Sequence, residues 1–166
     1  MTQPIFNFQE IFQIGLEIEQ NGERFYREAS ARARKAPVKA VFSELAAWET
    51  AHVHLFEKLR QEAQAAEQGS AALVSEGEAL DHLRALAGSH LFKQDKNPSA
   101  LAALCQNEKE ALETALRFEN EAIELYTAMK KAVPESLGKV HIEPLILEEE
   151  RHVSILQLHL ANYHSY

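Results

Sequence analysis

The sequence predicts an all-α protein built as an antiparallel four-helix bundle, and three observations indicate this fold. Strong helix formers such as Ala, Leu and Glu are abundant, whereas the 166 residues include only six Gly and five Pro. Apolar residues recur at steps of three and four along four long segments. These segments fall into two pairs, separated by a stretch rich in turn signals. We therefore expect two helical hairpins joined by a long crossover that contains a short helix.

The first hairpin is predicted over about residues 5–66. Its first helix should run from about Phe6 to Ala33, because apolar residues keep a helical spacing over this whole segment. Pro37 suits a first helical position and opens the second helix, which should end near Ala66. Both helices place titratable residues on the apolar side, which is unusual for a plain core.

The crossover is predicted over about residues 67–98. Gly69 and Ser70 end the second helix, and a weaker helical pattern follows from about Glu78 to Leu91. The turn-forming run 95–98 (DKNP) then leads into the second hairpin.

The second hairpin is predicted over about residues 99–163. A third long helix should span about Ser99 to Ala132, because Pro134 stops it. The fourth helix should reach about Tyr163, with Pro144 either starting its main part or kinking it. Residues 1–166 suit one domain of this size.

Charge and cysteine content exclude several kinds of protein. The formal net charge of -8 opposes binding to nucleic acid or to an anionic membrane surface. A single cysteine, Cys105, permits neither an intramolecular disulfide nor a rubredoxin-type iron site. No apolar run approaches the ~20 residues of a membrane span. We expect a soluble, cytoplasmic protein.

An internal repeat appears when each residue is compared with the residue 100 positions later. Polar residues on the apolar faces of the predicted helices are identical at this offset more often than the residues around them. The matching pairs are Glu19 and Glu119, Tyr26 and Tyr126, Glu49 and Glu149, and His52 and His152. Either Glu-x-x-His pair could arise by chance. Two pairs and two further glutamates at one constant offset form a much more specific pattern.

The chemistry of these residues indicates a metal site. Residues three apart lie on the same face of a helix, so the Glu and His of each pair can reach one ion. A bundle core cannot hold four uncompensated carboxylates, whereas two divalent ions would balance their charge. Carboxylate and imidazole ligands suit iron, manganese or zinc. The aromatic residues at core spacing, among them Trp48 and Phe118, need no cofactor to explain them.

Four segments of the chain resemble the rubrerythrin-like branch of the ferritin superfamily. Residues 15–26 (GLEIEQNGERFY) and 45–52 (LAAWETAH) are similar to its first hairpin, and residues 117–126 (RFENEAIELY) and 148–152 (EEERH) are similar to its second. The resemblance covers nearly the whole chain.

This resemblance implies two non-haem iron ions and a role for each residue of the repeat. Glu19 and Glu119 would be terminal carboxylates, Glu49 and Glu149 bridges, and His52 and His152 one nitrogen ligand for each ion, while Tyr26 and Tyr126 would donate hydrogen bonds to ligands. Ala122 stands where rubrerythrins use an additional carboxylate.

Two classes of function, and a third that is not catalytic, follow from this pattern. The first is a diiron oxidoreductase that reduces hydrogen peroxide or dioxygen with electrons from an external donor such as rubredoxin. The second is a ferroxidase or iron-handling protein, although no fifth helix for a ferritin cage is predicted. The third is a metal-free helical interaction module. A homodimer through the outer face of a hairpin is the expected assembly.

Overall fold

A computed structural model describes residues 7–69, 78–89 and 97–165, and these residues form helices and short connections without any strand. The six α-helices are α1 (Phe8–Arg32), α2 (Ala36–Gly69), α3 (Glu78–Ser89), α4 (Pro98–Leu104), α5 (Glu108–Ala132) and α6 (Lys139–Ala161). Two short 3-10 helices follow α5 and α6, at Glu135–Leu137 and Tyr163–Ser165. The predicted all-α fold class is confirmed. None of the helices in these ranges is long and apolar enough to cross a membrane.

The four long helices form two hairpins that share one core. Helix α1 packs along α2, and α5 packs along α6, while contacts between α1 and α5 and between α2 and α6 join the hairpins. Gly138 makes the sharp entry into α6 in the left-handed region, at φ 91°, which favours glycine. Fully buried aromatic side chains fill the interior, including Phe12, Phe25, Phe42 and Phe56.

The predicted third helix is wrong at its start, because the chain leaves the helical conformation between Leu104 and Glu108. Asn107 has an extended backbone, and its side chain accepts a hydrogen bond of 2.9 Å from the backbone N–H of Glu110. This N-cap gives the N–H of Glu110 a side-chain acceptor, whereas in a continuous helix that N–H would bond a backbone carbonyl of the preceding turn. Helix α5 therefore begins here as a new helix. Helix α4 therefore packs against α1 as a separate element.

The start of α1 repeats this cap. Asn7 accepts a hydrogen bond of 2.9 Å from the backbone N–H of Glu10, whose side chain accepts from the N–H of Asn7. Both α1 and α5 have 25 residues, and they begin 100 positions apart. The duplication of the hairpin thus extends to the ends of its first helix.

The remaining helix boundaries differ from the sequence expectations by a few residues. Pro144 lies inside α6, so it does not start that helix. Positions 90 and 91, at the predicted end of the short crossover helix, and Phe6 lie outside the described residues. Helix α3 packs against α5 on the flank of the bundle.

Candidate metal centre

Six titratable side chains meet in the middle of the bundle, and every long helix contributes. Helices α1 and α5 each present one glutamate, whereas α2 and α6 each present a Glu-x-x-His pair; together these are Glu19, Glu119, Glu49, His52, Glu149 and His152. All six are at most 3% exposed. The structure therefore brings together all six residues that the repeat singled out.

The first histidine faces carboxylates from two other helices. Nδ1 of His52 lies 3.0 Å from Oε1 of Glu149 and 3.4 Å from Oε2 of Glu19. The ring reaches inward because positions three apart on α2 share a face, so Glu49 and His52 both point to the core.

The second histidine repeats this arrangement from α6. Nδ1 of His152 lies 2.8 Å from Oε2 of Glu149, 3.5 Å from Oε1 of Glu119 and 3.9 Å from Oε1 of Glu49. The two oxygens of Glu149 are thus divided between the two histidines.

The six residues form two overlapping sets of four, each of which could hold one ion. In each set, one donor atom from every residue lies within 4.8 Å of the others. The first set contains Glu19, Glu49, His52 and Glu149, and the second contains Glu49, Glu119, Glu149 and His152. Glu49 and Glu149 belong to both sets, which is the position of a carboxylate that bridges two ions.

Six of the eight carboxylate oxygens of this cluster and both histidine Nδ1 atoms have no hydrogen-bond partner, and this fits a pair of cations. Eight buried side-chain atoms among the described residues have none, and all belong to the six residues. Buried polar atoms are ordinarily paired, since an unpaired one costs about 1–3 kcal/mol. Two divalent ions would satisfy all eight atoms and balance four carboxylates. Oxygen and imidazole donors suit iron, manganese or zinc.

Electrostatics show the same need for positive charge. Burial raises the pKa of Glu119 to about 8, and the charge of Glu149 adds to the rise. Burial also raises the pKa of Glu49 well above its usual value, and the negative charge of Glu19 raises it further. Burial by itself lowers the pKa of His152, but Glu119 and Glu149 outweigh it and raise that pKa to about 9. Without cations, the cluster retains protons instead.

Two buried tyrosines form hydrogen bonds with Glu19 and Glu119, each of which belongs to only one ligand set. The hydroxyl of Tyr26 donates to Oε1 of Glu119, and the hydroxyl of Tyr126 donates to Oε1 of Glu19. Burial, together with the neighbouring carboxylate charges, raises the pKa of both tyrosines. Both hydroxyls therefore keep their protons and act as donors.

One partner of the site was not singled out from the sequence. Oε2 of Glu148 lies 2.8 Å from Nε2 of His52, on the outer side of the ring. The residue at the corresponding place in the first hairpin is Trp48, whose indole stacks on His152 with ring centroids 4.8 Å apart. The expectation that Trp48 belongs to the core is wrong, since it is 36% exposed. Comparing the positions before the two repeated glutamates would have revealed this mismatch.

The helical position one turn beyond Glu119 carries a methyl group and no ligand atom. Ala122 is buried at 1% exposure. Within residues 7–69, 78–89 and 97–165, the groups able to hold a metal are the two overlapping sets described above.

Comparison with known proteins supports the fold. No protein-family model and no curated protein sequence matches this chain. A crystal structure at 2.30 Å resolution of a candidate ferritin-like diiron-carboxylate protein from Thermotoga maritima does match, with a TM-score of 0.73. The two chains are 22% identical, and the match covers 98% of this chain and 99% of the other. This chain therefore has the ferritin-like helical-bundle fold.

Proposed function

We propose that this chain is a rubrerythrin-like, non-haem diiron oxidoreductase that reduces hydrogen peroxide or dioxygen with electrons from a separate donor protein. The observation that carries the proposal is the pair of overlapping, fully buried ligand sets, which share Glu49 and Glu149. The Thermotoga maritima protein of the same fold is described as a diiron-carboxylate protein, which supports iron as the metal.

Iron bound here would supply the electrons for the reaction. Reduction of hydrogen peroxide takes two electrons and two protons, breaks the O–O bond and yields two water molecules. Two iron ions, each giving one electron, match this requirement.

The protein's own residues would bind the ions and fix their geometry. Glu49 and Glu149 span both ligand sets, whereas Glu19 and Glu119 belong to one each. Tyr26 and Tyr126 orient the latter two carboxylates by hydrogen bonds.

Burial favours a small oxidant over a large substrate. All six ligand candidates are at most 3% exposed, so a bulky molecule could not contact them without displacing a helix. Hydrogen peroxide and dioxygen are small enough to enter a packed bundle.

The cysteine content supports an external electron donor. A rubredoxin-type iron needs four thiolates, and this sequence contains one cysteine. We therefore propose a separate donor such as rubredoxin.

The experiment that tests this function also separates it from iron storage. Metal-free protein is loaded anaerobically with ferrous iron and then oxidised with measured amounts of hydrogen peroxide. We expect saturation near two irons per chain, oxidation by about one peroxide per pair of irons, and turnover only when a reducing donor is added.

Iron storage would give a different result in the same samples. Repeated additions of ferrous iron in air would then deposit tens of irons per chain in a large shell, detected by light scattering. That outcome would contradict the proposal. Glu149→Ala should abolish the peroxide reaction, and Glu150→Ala, which removes an exposed charge next to it on α6, should not.

A further inference from the structure

The two halves of the site differ in the residue that contacts the outer side of each histidine. The residue before the glutamate of each Glu-x-x-His pair is Trp48 on α2 and Glu148 on α6. The duplication places these residues beside opposite histidines, Trp48 against His152 and Glu148 against His52. Because the ligand candidates themselves repeat without change, this mismatch breaks the symmetry of the centre.

On one side, the histidine is held by a carboxylate. Nε2 of His52 lies 2.8 Å from Oε2 of Glu148. A carboxylate can only accept, so the hydrogen of this bond must be carried by Nε2. The free electron pair of neutral His52 then lies on Nδ1, which faces Glu19 and Glu149 in the core. Such a bond fixes the ring's orientation and increases its basicity as a metal ligand.

On the other side, no described residue forms such a bond with the histidine. All contacts found for Nδ1 of His152 point to core carboxylates, and no acceptor for its Nε2 is present among the described residues. Trp48 stacks on the ring at an interplanar angle of 10°. The indole can restrain the plane of His152, but its only polar group is a donor, so it cannot accept the Nε2 hydrogen.

We propose that Glu148 is a positioning residue for His52, and that the ion held by the His52 set consequently binds more tightly than the ion held by the His152 set. The inference rests on the proposed function only in requiring that the six residues bind two ions. It assigns different affinities to two positions that the repeat alone would make equal.

The first test is a stepwise metal titration under anaerobic conditions. Cobalt(II) is the probe, because it accepts the same nitrogen and oxygen donors and its absorption reports coordination. We expect two binding steps in the unaltered protein. Glu148→Ala should weaken the tighter step by about 10- to 100-fold and leave the other step within a few-fold.

Two control variants separate positioning from charge. Glu148→Gln removes the charge but keeps an oxygen acceptor for Nε2, so it should retain most of the affinity that Glu148→Ala loses. Glu150→Ala removes an exposed charge two residues away, and it should leave both steps unchanged. The Glu148 side chain is 48% exposed, so its loss should not prevent folding, which the melting of the metal-free variant checks.

A reciprocal variant tests the weaker side. Trp48→Glu gives the first hairpin the residue of the second, and it should tighten the weaker step so that the two affinities approach one another. Trp48→Leu removes the indole without supplying an acceptor, and it should not tighten that step.

A spectroscopic readout addresses the hydrogen bond itself. In the proton spectrum of the cobalt protein, one shifted histidine N–H should exchange slowly with solvent, and Glu148→Ala should make it exchange rapidly. If Glu148→Ala leaves both binding steps unchanged, or weakens both equally, the inference is wrong and the diiron proposal stands. If the unaltered protein binds no cobalt or iron, the proposed function fails and the inference fails with it.

Discussion

Each tyrosine of the centre belongs to one hairpin and binds a carboxylate of the other. Tyr26 on α1 donates to Glu119 on α5, and Tyr126 on α5 donates to Glu19 on α1. All four side chains are at most 1% exposed. The two hydrogen bonds therefore orient ligand candidates and link the hairpins at the same time.

Removing one of these hydroxyls should cost stability. Tyr126→Phe leaves Oε1 of Glu19 buried without its donor, and Tyr26→Phe does the same to Glu119. We expect each change to lower the free energy of unfolding by about 1–3 kcal/mol in urea melts. Tyr163→Phe is the matched control, because Tyr163 is only half-buried and its hydroxyl lies at a long distance of 3.4 Å from Oε2 of Glu108. Melts that do not distinguish the core variants from the control would contradict this role.

Bridging and terminal residues should differ in how many ions they affect. Glu149 contributes to both ligand sets, so Glu149→Ala should reduce the binding of both ions, and Glu49→Ala should do the same. His52 belongs to one set, so His52→Ala should chiefly remove one ion. Metal analysis after equilibrium dialysis measures this directly. Loss of both ions in His52→Ala, with none lost in Glu49→Ala, would reverse the proposed roles.

The six ligand candidates could be predicted because their spacing carries the information. Glu49 and His52 share a helical face whatever surrounds them, and the offset of 100 selects the partner glutamates. The contact between Glu148 and His52 could not be predicted in this way. It joins α6 to α2, and periodicity within one helix contains no information on which side chains meet across a bundle.

At the scale of the helices, two glycines let α1 approach its neighbours closely. A Cβ atom on Gly15 would lie 2.3 Å from Cε1 of Phe56. A Cβ atom on Gly22 would lie 2.9 Å from Cζ of Phe118 and 3.2 Å from Oε2 of Glu49. All three neighbours are fully or almost fully buried, so they have little room to move.

A methyl group at this contact should disturb both packing and the centre. We expect Gly22→Ala to lower the free energy of unfolding by about 1–3 kcal/mol through overpacking, and to weaken metal binding through Glu49. Gly88→Ala in α3 is the control, since a Cβ there meets nothing within 4 Å. It should be neutral or slightly stabilising, because Ala favours helices more than Gly. Equal stability of the two variants in thermal melts would contradict the close approach.

The break between α4 and α5 shows where helix prediction fails. The apolar spacing continues through Leu101, Leu104 and Leu112, and no Gly or Pro interrupts it, so periodicity predicts one long helix. The local signal is Asn107 followed three residues later by Glu110, as in the cap at Asn7 and Glu10. The N-cap at Asn107 sets the start of α5, and comparison with the position 100 residues earlier would have identified it.

For the whole molecule, the metal-free protein should lose stability as the pH rises. Glu119 ionises near 4.5 when unfolded and at about 8 when folded, so the folded state binds more protons between these values. The pKa of His152 is 6.5 in the unfolded chain and about 9 in the folded protein. Its stabilising contribution is therefore complete below pH 6.5 and lost as the pH rises through 9. The pKa of Glu149 shifts in the opposite direction. Burial tends to raise its pKa, but His152 and His52 outweigh that effect and lower the pKa to about 2, so its contribution disappears in acid.

These pKa shifts can be tested by thermal melts at different pH values. Metal-free protein should melt at the highest temperature at about pH 5–6 and at a clearly lower temperature at about pH 9. Bound divalent ions replace the protons, so the stabilisation by metal should increase with pH over this range. Thermal melts with and without ferrous iron at several pH values provide the data. A melting temperature of the metal-free protein that is constant across this range would contradict the electrostatic account.

The most direct test of the centre is anomalous diffraction at the iron edge from crystals of iron-loaded protein. We predict two peaks about 3.5–4 Å apart, both between Glu49 and Glu149, with His52 beside one and His152 beside the other. A single peak, or peaks away from these six residues, would contradict the central claim that the bundle holds two metal ions in its core.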